Sequence, residues 1–357
     1  MIDMKLFIPG PTYVRPEILE EMSRQMTFIH RSMEFSELYS QLSLKLKKFL
    51  YTNNPVFLST SSGTGLMEAA VRNCVRKKCL NLVCGAFSDR WRRLVVECGK
   101  ESNAIEVELG NGISADMIRE ELEKNEYDAL CLTHNETSTG IMNPLEDIAE
   151  VMKDYPDITF MVDAVSSMAG VKIEVDKLGI DVCLSSVQKC FALPPGFSLC
   201  TISSKALEKS KTIEGRGHYF DFQAFKKYDE KSQTISTPSI SHMFALDKQL
   251  DFIFEEGAEN RFERHKKMAS IVQGWAKDNF ELFAELGYES LTLTVIKNTR
   301  NIDIKEINHK LKERGKQIGD GYGELKGKTF RIAHMGDLQI EDINELIDDL
   351  NEILFLH

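Results

Sequence analysis

The chain has 357 residues, of which 42% are hydrophobic, and its formal net charge is −11. This length exceeds what one hydrophobic core usually organises, so we expect two domains. The negative charge would repel a nucleic-acid duplex or an anionic membrane surface, which argues against both as partners. No apolar stretch approaches the roughly 20 residues that span a bilayer. Residues 1–5 lack a signal-peptide pattern, so we expect a cytoplasmic protein.

The middle of the chain alternates short apolar runs with amphipathic stretches, of which Ser114–Leu122 is a predicted helix. Strands that alternate with helices favour an α/β fold with a doubly wound, mostly parallel sheet. Because the runs are rich in Val, Leu and Cys, we expect this sheet to be covered on both faces. The predicted strands are Val56–Leu58, Leu80–Cys84, Ala129–Leu132, Thr159–Val162 and Val182–Ser185.

A polar, glycine-rich turn, Ser61–Gly65, follows the first of these strands and precedes a helix predicted to begin near Leu66. Backbone N–H groups at such a helix start are free to bind a phosphate. A plain strand-to-helix turn with a serine N-cap explains the same residues equally well.

Two charged residues follow neighbouring predicted strands, Asp163 at the end of one and Lys189 after the next. Ligands bind at the carboxyl ends of parallel strands, so both side chains can reach one crevice. An aspartate that holds a pyridinium N–H and a lysine that forms an imine are what pyridoxal phosphate chemistry requires. An N-cap aspartate and a surface lysine are the alternative. The hydroxyl-rich loop Thr133–Gly140 follows another strand and could bind a phenolate oxygen, or it is simply a capped turn.

The eight cysteines include three, Cys74, Cys79 and Cys84, that recur every five residues. No pair has the C-x-x-C spacing of a zinc or redox site. We therefore predict buried, reduced thiols and no metal site.

The last third of the sequence predicts one long helix over Ser241–Phe280, whose charged run 255–261 we interpret as a solvated face. The elements that follow it indicate a small C-terminal α/β domain. They are a strand over 291–296, a helix over 304–315, a strand over 329–333 and a helix over 340–355. We place the domain boundary near residue 250, which gives a large domain over 1–250 and a small one over 251–357.

Nine segments spread along nearly the whole chain carry motifs that occur together, namely 8–12, 30–35, 62–65, 85–91, 134–140, 162–167, 186–189, 236–239 and 330–336. In this order and spacing they resemble the class V aminotransferases of pyridoxal phosphate fold type I. The resemblance is greatest to the alanine–glyoxylate and serine–glyoxylate (serine–pyruvate) branch. It implies a large domain with a seven-stranded, mostly parallel sheet between helices, and a homodimer with shared active sites.

The resemblance also implies roles for single residues. Lys189 would be the Schiff-base lysine and would carry the proton between substrate Cα and the cofactor, while Asp163 would keep the pyridine nitrogen protonated. Arg331 would bind the substrate α-carboxylate, and Gly10 would line the substrate entrance. Phe87 would stack on the cofactor ring and Val165 would pack on its other face. Further cofactor contacts would come from Ser62, Gly63, Thr64 and Gln188 at the phosphate, Thr137 at the ring hydroxyl, and Thr237 of the partner subunit at the phosphate.

We therefore expect a ping-pong transfer of an amino group from alanine or serine to glyoxylate or pyruvate. A phosphoserine or aminophosphonate aminotransferase is the alternative, because His30 and Arg31 would suit a substrate phosphate. A cysteine desulfurase fits poorly, since no cysteine follows Cys200, and a non-catalytic regulator would be expected to lose the lysine. Ser88, Cys190 and residues 26–29 depart from the branch's usual pattern, and the last of these lie near the expected substrate mouth.

Overall fold

The computed structural model describes residues 4–356 and contains a large sheet of seven strands. These strands are β2 Val56–Ser59, β3 Lys78–Val83, β4 Glu101–Glu106, β5 Ala129–Thr133, β8 Thr159–Asp163, β9 Val182–Ser186 and β10 Ser198–Ile202. Their order in the sheet is β2-β10-β9-β8-β5-β3-β4. Neighbouring strands pair in parallel from β9 through β8, β5 and β3 to β4, whereas β10 runs antiparallel to both β2 and β9. The predicted α/β fold with a mostly parallel sheet is therefore confirmed.

Both faces of this sheet are buried, which explains why its strands are apolar without strict alternation. Successive side chains point to opposite faces, so Leu80 and Leu82 enter one core cluster and Cys79 enters the other. The sheet lies between helices on both faces. The helices of the chain are α1 Pro16–Met22, α2 Met33–Phe49, α3 Gly63–Cys74, α4 Ala86–Glu97, α5 Ala115–Leu122, α6 Leu145–Met152, α7 Ser204–Ser210, α8 Phe222–Asp229, α9 Ile240–Glu256, α10 Ala258–Asn279, α11 Ile304–Glu313 and α12 Ile340–Leu354, with a 3₁₀ turn at Gly323–Leu325.

A second sheet has five strands in the order β1-β13-β14-β12-β11. It contains the predicted C-terminal elements, and its first strand comes from the amino terminus, where Leu6 pairs with Gln317. The domain boundary near residue 250 stays a prediction. The strands of this sheet are β1 Lys5–Phe7, β11 Glu281–Leu282, β12 Leu293–Lys297, β13 Lys316–Asp320 and β14 Thr329–Ala333; a separate two-stranded ribbon pairs β6 Asn135–Glu136 with β7 Ile141–Met142.

The single long helix predicted over Ser241–Phe280 is wrong, because Gly257 adopts a φ of +84° and separates α9 from α10. Left-handed backbone of this kind ends a helix and favours glycine. The prediction of a solvated face for residues 255–261 is also wrong at its end, since Arg261 is only 1% exposed.

All eight cysteines are free thiols, and seven of them are buried. Across residues 4–356, no helix combines the length and apolar character needed to cross a membrane.

Candidate active site

Asp163 is the last residue of β8, and its side chain is buried at the carboxyl end of the sheet. One carboxylate oxygen, Oδ1, accepts a hydrogen bond of 2.8 Å from the backbone N–H of Val165. Burial raises the pKa of Asp163 to about 7, although the charges of Lys189 and Arg90 oppose the shift. Because burial destabilises the ionised form of this carboxyl group, a cationic group bound in the adjoining cavity would stabilise it.

Lys189 lies beyond β9, in the turn that leads to β10, and its side chain lines the same cavity as Asp163. Its Nζ donates a hydrogen bond to the carbonyl of Pro9. Burial, and secondarily the charge of Arg331, lowers the pKa of Lys189 to about 8. Gly10 has a φ of +108° and lies so close that a Cβ there would be 2.8 Å from Lys189 Cδ. Glycine at position 10 thus leaves room for the lysine.

The glycine-rich turn forms the first turn of α3, which begins at Gly63 rather than near Leu66. Ser62 is its N-cap and accepts a hydrogen bond from the N–H of Gly65. The helix dipole and the free N–H groups face the cavity, so the turn can bind an anion as well as cap a helix. Ser62, Gly63, Thr64 and Gln188 line one cavity of about 150 Å³ together with Phe87, Thr137, Asp163, Val165 and Lys189.

Glu136, which the sequence analysis did not single out, fixes the aromatic residue Phe87 at the start of α4. Its carboxylate is fully buried and accepts hydrogen bonds from the backbone N–H groups of Phe87, Ser88 and Ser138. The hydroxyls of Ser88 and Ser138 donate to it as well. Ser88, one of the residues that depart from the pattern of the branch the chain resembles, thus donates to this buried carboxylate through both its backbone N–H and its hydroxyl. An acidic residue at a helix N-terminus is also favoured by the dipole.

Thr137 belongs to a hydroxyl network in the wall of the first cavity. Thr137 Oγ1 donates to Ser166 Oγ at 3.1 Å, and Ser166 Oγ donates to the carbonyl of Asn135 at 2.8 Å. The Asn135 amide donates to the hydroxyls of Ser166 and Thr292, which orients its Oδ1 away from them. Asn135 lines the cavity, and its buried Oδ1 has no hydrogen-bond partner in the part of the chain described. Such an acceptor is costly unless a ligand supplies a donor.

Arg331, in β14, lines a second cavity of about 340 Å³ that shares Phe87, Thr137 and Lys189 with the first. Its Nε donates to the carbonyl of Asp320 at 2.8 Å, and burial lowers its pKa. Arg331 forms no ion pair within residues 4–356, so its guanidinium is available to an anion in this cavity. Gly10 lines the same cavity.

Three of the sequence-predicted residues lie apart from both cavities of their own chain. Arg31 donates to Gln233 Oε1 at 3.0 Å and to the carbonyl of Thr234 at 2.8 Å, and His30 precedes it. Thr237 is exposed in the loop before α9. Within one subunit these residues do not join Lys189 and Asp163.

Arg90 is a second residue that the sequence analysis missed. It lies one turn after Phe87 on α4, and its guanidinium is 4.8 Å from the centre of the Phe87 ring. Its other contacts are with hydroxyls, at 3.3 Å from Thr64 Oγ1 and 3.3 Å from Tyr322 Oη. Helical spacing from Phe87 could have indicated that Arg90 shares its face. For Asn135, no local pattern predicts the tertiary contacts.

The sequence and the fold are both similar to those of known aminotransferases. The sequence model of the family "Aminotransferase class-V" matches residues 6–322. The chain belongs to the class V aminotransferases. An uncharacterized aminotransferase of Methanocaldococcus jannaschii is 40% identical over 93% of this chain and 87% of that protein. The serine–glyoxylate aminotransferase of Arabidopsis thaliana is 30% identical over 96% of this chain and 86% of its own.

Two solved structures of aminotransferases are also similar to this one. The alanine–glyoxylate aminotransferase of Nostoc has a TM-score of 0.92 and 30% identity, and the match covers 99% of this chain and 96% of that one. The phosphoserine aminotransferase of Cytophaga hutchinsonii has a TM-score of 0.90 and 29% identity, covering 99% of both chains. The family and these relatives make the protein a pyridoxal phosphate-dependent aminotransferase.

The residues of the first cavity fit that cofactor. The α3 N-terminus provides an anion cradle at one end, and the buried carboxylate of Asp163 provides an acceptor for a ring N–H at another. The unpartnered Oδ1 of Asn135 offers a further acceptor. Lys189 reaches the same space with an amine whose lowered pKa increases the fraction of the neutral, nucleophilic form.

Proposed function

We propose that the protein transfers an amino group from a small amino acid, alanine or serine, to glyoxylate or pyruvate by a ping-pong mechanism. The observation that carries the proposal is the second cavity, in which the Arg331 guanidinium and the Lys189 amine face one space. A planar guanidinium free of protein carboxylates is suited to bind the carboxylate that amino donors and keto acceptors share.

When bound, pyridoxal phosphate supplies an electron sink that weakens the Cα–H bond of the amino donor. Lys189 Nζ would take the proton from substrate Cα and return it during the second half-reaction, and its pKa of about 8 suits both directions near neutral pH. Asp163 would hold the ring nitrogen in its protonated form. Arg331 would orient the substrate so that Cα lies near Lys189, and the amino group would stay with the enzyme between the two half-reactions.

The cofactor cavity is completed, in this proposal, by a second copy of the chain. Thr237 is exposed and lines neither cavity of its own subunit, and an exposed hydroxyl is free to reach the phosphate site of a partner. Sedimentation of the loaded enzyme should give a dimer, and Thr237→Val should weaken cofactor binding without changing that mass. A fully active monomer would overturn this part of the proposal.

A phosphoserine aminotransferase is the second candidate, and Arg90 is the observation that favours it. Like Arg331, Arg90 has no carboxylate partner among residues 4–356. It lines the first cavity, and its contact Tyr322 lines the Arg331 cavity, so the Arg90 guanidinium lies between the two. A second anionic group on the substrate could therefore bind it. Arg31 supports this candidate less, because its guanidinium already binds Gln233 and Thr234.

Half-reaction spectra separate the two candidates. The purified enzyme is mixed with alanine, serine, phosphoserine or 2-aminoethylphosphonate, and the loss of the cofactor's visible absorption is timed. We expect alanine or serine to react fastest, and Arg90→Ala to leave their rates within about threefold of wild type. Arg93→Ala, an exposed arginine on the same helix that pairs with Asp89, is the matched control. Preferential reaction with phosphoserine that Arg90→Ala alone abolishes would replace the first candidate with the second.

A further inference from the structure

Arg261, in the first turns of α10, is a buried charged residue that the proposed reaction does not use. Its side chain is 1% exposed, and each of its nitrogens has a partner. Nε donates to the carbonyl of Ala169 at 2.9 Å, and Nη2 donates to the carbonyl of Cys190 at 2.7 Å. Nη1 lies 3.1 Å from a carboxylate oxygen of Glu256 and 3.1 Å from one of Asp337.

The two carbonyls belong to the segments that carry the proposed catalytic residues. Cys190 directly follows Lys189, and Ala169 lies in the loop that follows Asp163 at the end of β8. Both segments contain a non-glycine residue in left-handed backbone, with φ of +72° at Ala169 and +56° at Ala192. Such conformations are unfavourable for a residue with a side chain and persist only where the surroundings impose them. A guanidinium that binds both segments at once is a restraint of that kind.

Asp337 extends the same contacts to a third segment. It lies in the loop after β14, the strand that carries Arg331, and is almost completely buried. Besides Arg261, it accepts hydrogen bonds from Arg15 at 2.8 Å and from Gln249 at 2.9 Å. The Arg261 guanidinium thus touches the loop after Asp163, the turn after Lys189 and the loop after Arg331.

The buried thiol of Cys190 adds to the packing between these segments. Its Sγ lies 3.4 Å from the carbonyl of Ser166, and a Cβ on Gly170 would approach it to 2.8 Å. Burial raises the pKa of Cys190 to about 12, so the thiol is not a nucleophile near neutral pH. The Cys190 side chain therefore packs between the Lys189 turn and the Asp163 loop, the same two segments whose carbonyls bind Arg261.

We propose that Arg261 is a positioning residue that fixes the Lys189 turn and the Asp163 loop relative to each other and to the Arg331 strand. The inference rests on the proposed roles of those three residues. Arg261 lies behind the cavities and contacts neither substrate nor cofactor space, so it acts through the backbone of its neighbours. Replacement of Arg261 should change the distance between Lys189 and Asp163. Arg331 should move less, because β14 stays paired with β12 and β13.

The test compares Arg261→Met and Arg261→Lys with Arg264→Met. Arg264 is also buried on α10 and shares the Glu256 carboxylate, but its other contacts are the carbonyls of Gly336 and Leu338. The loss of a buried cation that pairs with Glu256 is thereby matched, whereas Arg264 makes no hydrogen bond to the Lys189 and Asp163 segments. Two readouts are measured on the loaded enzymes: the pH midpoint of the cofactor's visible absorption, and kcat and KM for the best donor.

We expect Arg261→Met to lower kcat about a hundredfold, the effect of a displacement of about 1 Å, with KM changed less than threefold. The pH midpoint should shift by about one unit, because the distance between the charges of Lys189 and Asp163 changes. Arg261→Lys retains the positive charge but not the planar guanidinium, so its kcat and pH midpoint should lie between those of wild type and Arg261→Met. It serves as the test if the Met variant does not fold. Arg264→Met should leave the midpoint unchanged.

An unshifted midpoint in both Arg261 variants, or the same shift in Arg264→Met, would overturn the inference. Borohydride reduction of the wild-type enzyme distinguishes this failure from a failure of the proposed function. If the cofactor is reduced onto Lys189 and the Arg261 variants behave like wild type, the positioning role alone is refuted. If another lysine is labelled, the proposed roles are refuted and the inference with them.

Discussion

Replacement of Asp163 by asparagine should have opposite effects on the stability of the cofactor-free protein and on catalysis. Burial raises the pKa of Asp163 from 3.8 to about 7. Between these two values the carboxyl is protonated in the folded chain and ionised in the unfolded chain. The unfolded state then binds fewer protons, so the free energy of unfolding falls as pH rises from about 4 to about 7.

The magnitude follows from the two pKa values. Their difference, at about 1.4 kcal/mol per pH unit, corresponds to a loss of about 4 kcal/mol at pH 8 relative to pH 4. Asparagine is neutral at both pH values and avoids this loss. It also keeps an oxygen that can accept the 2.8 Å hydrogen bond from the Val165 N–H. The cofactor-free variant should therefore be more stable than the cofactor-free wild type at pH 8, and similar to it near pH 4.

Catalysis should change in the other direction. An amide cannot stabilise a protonated ring nitrogen, and a charge-assisted hydrogen bond is worth about 1.5–3 kcal/mol. Each ~1.4 kcal/mol lost from the transition state slows the reaction about tenfold, so kcat should fall about ten- to hundredfold.

Urea denaturation of the cofactor-free proteins at pH 4 and pH 8, followed by circular dichroism, measures the stability effect. Asp181→Asn is the matched control, because Asp181 is equally buried but pairs with Lys205 at 2.6 Å. Breaking that pair should destabilise the protein at both pH values. An Asp163→Asn variant that is less stable than wild type at pH 8, or that retains wild-type kcat, would refute the reasoning.

Two further predictions concern the neighbouring positions. Arg331→Lys should raise the KM of the amino donor and of the keto acceptor together, by about tenfold, because an ammonium cannot form the two parallel hydrogen bonds. Steady-state kinetics measures both constants, with cofactor occupancy as the control, and a change in only one KM would contradict the prediction. Gly63→Ala should weaken cofactor binding about tenfold, since its Cβ would lie 2.5 Å from Val165 Cγ2, whereas Gly274→Ala, with nothing within 4 Å, should not. Equal cofactor affinity in the two alanine variants would contradict the second prediction.

Much of the large sheet could be predicted from the sequence because its strands are short apolar runs bounded by polar turns. β5 and β8 lie within one residue of their predicted ends. The strands that were missed carry weaker signals. β4 is an edge strand with several exposed residues, so it lacks a continuous apolar run. β10 follows β9 after only 11 residues, and no helix between them separates the two strands in the sequence pattern. The reversed direction of β10 follows from that short connection, since a parallel strand would need a longer one.

The candidate site was predictable where a residue's place on a strand end or helix start determines its role. Asp163, Lys189 and the turn at Gly63 are of this kind, and the cavity brings them together. Arg261 was not predictable, because a charged residue near a helix start usually faces solvent. Its burial depends on two carbonyls and a carboxylate from distant segments, which only the tertiary structure brings to one point.

The identity of the lysine that binds the cofactor is the central claim, and one measurement tests it directly. The purified enzyme is reduced with borohydride, digested, and the peptide that carries the reduced cofactor is sequenced by mass spectrometry. We expect the label on Lys189, whose pKa is lowered to about 8 and whose side chain shares a cavity with Asp163. A label on any other lysine, or none on a protein with visible cofactor absorption, would contradict the account.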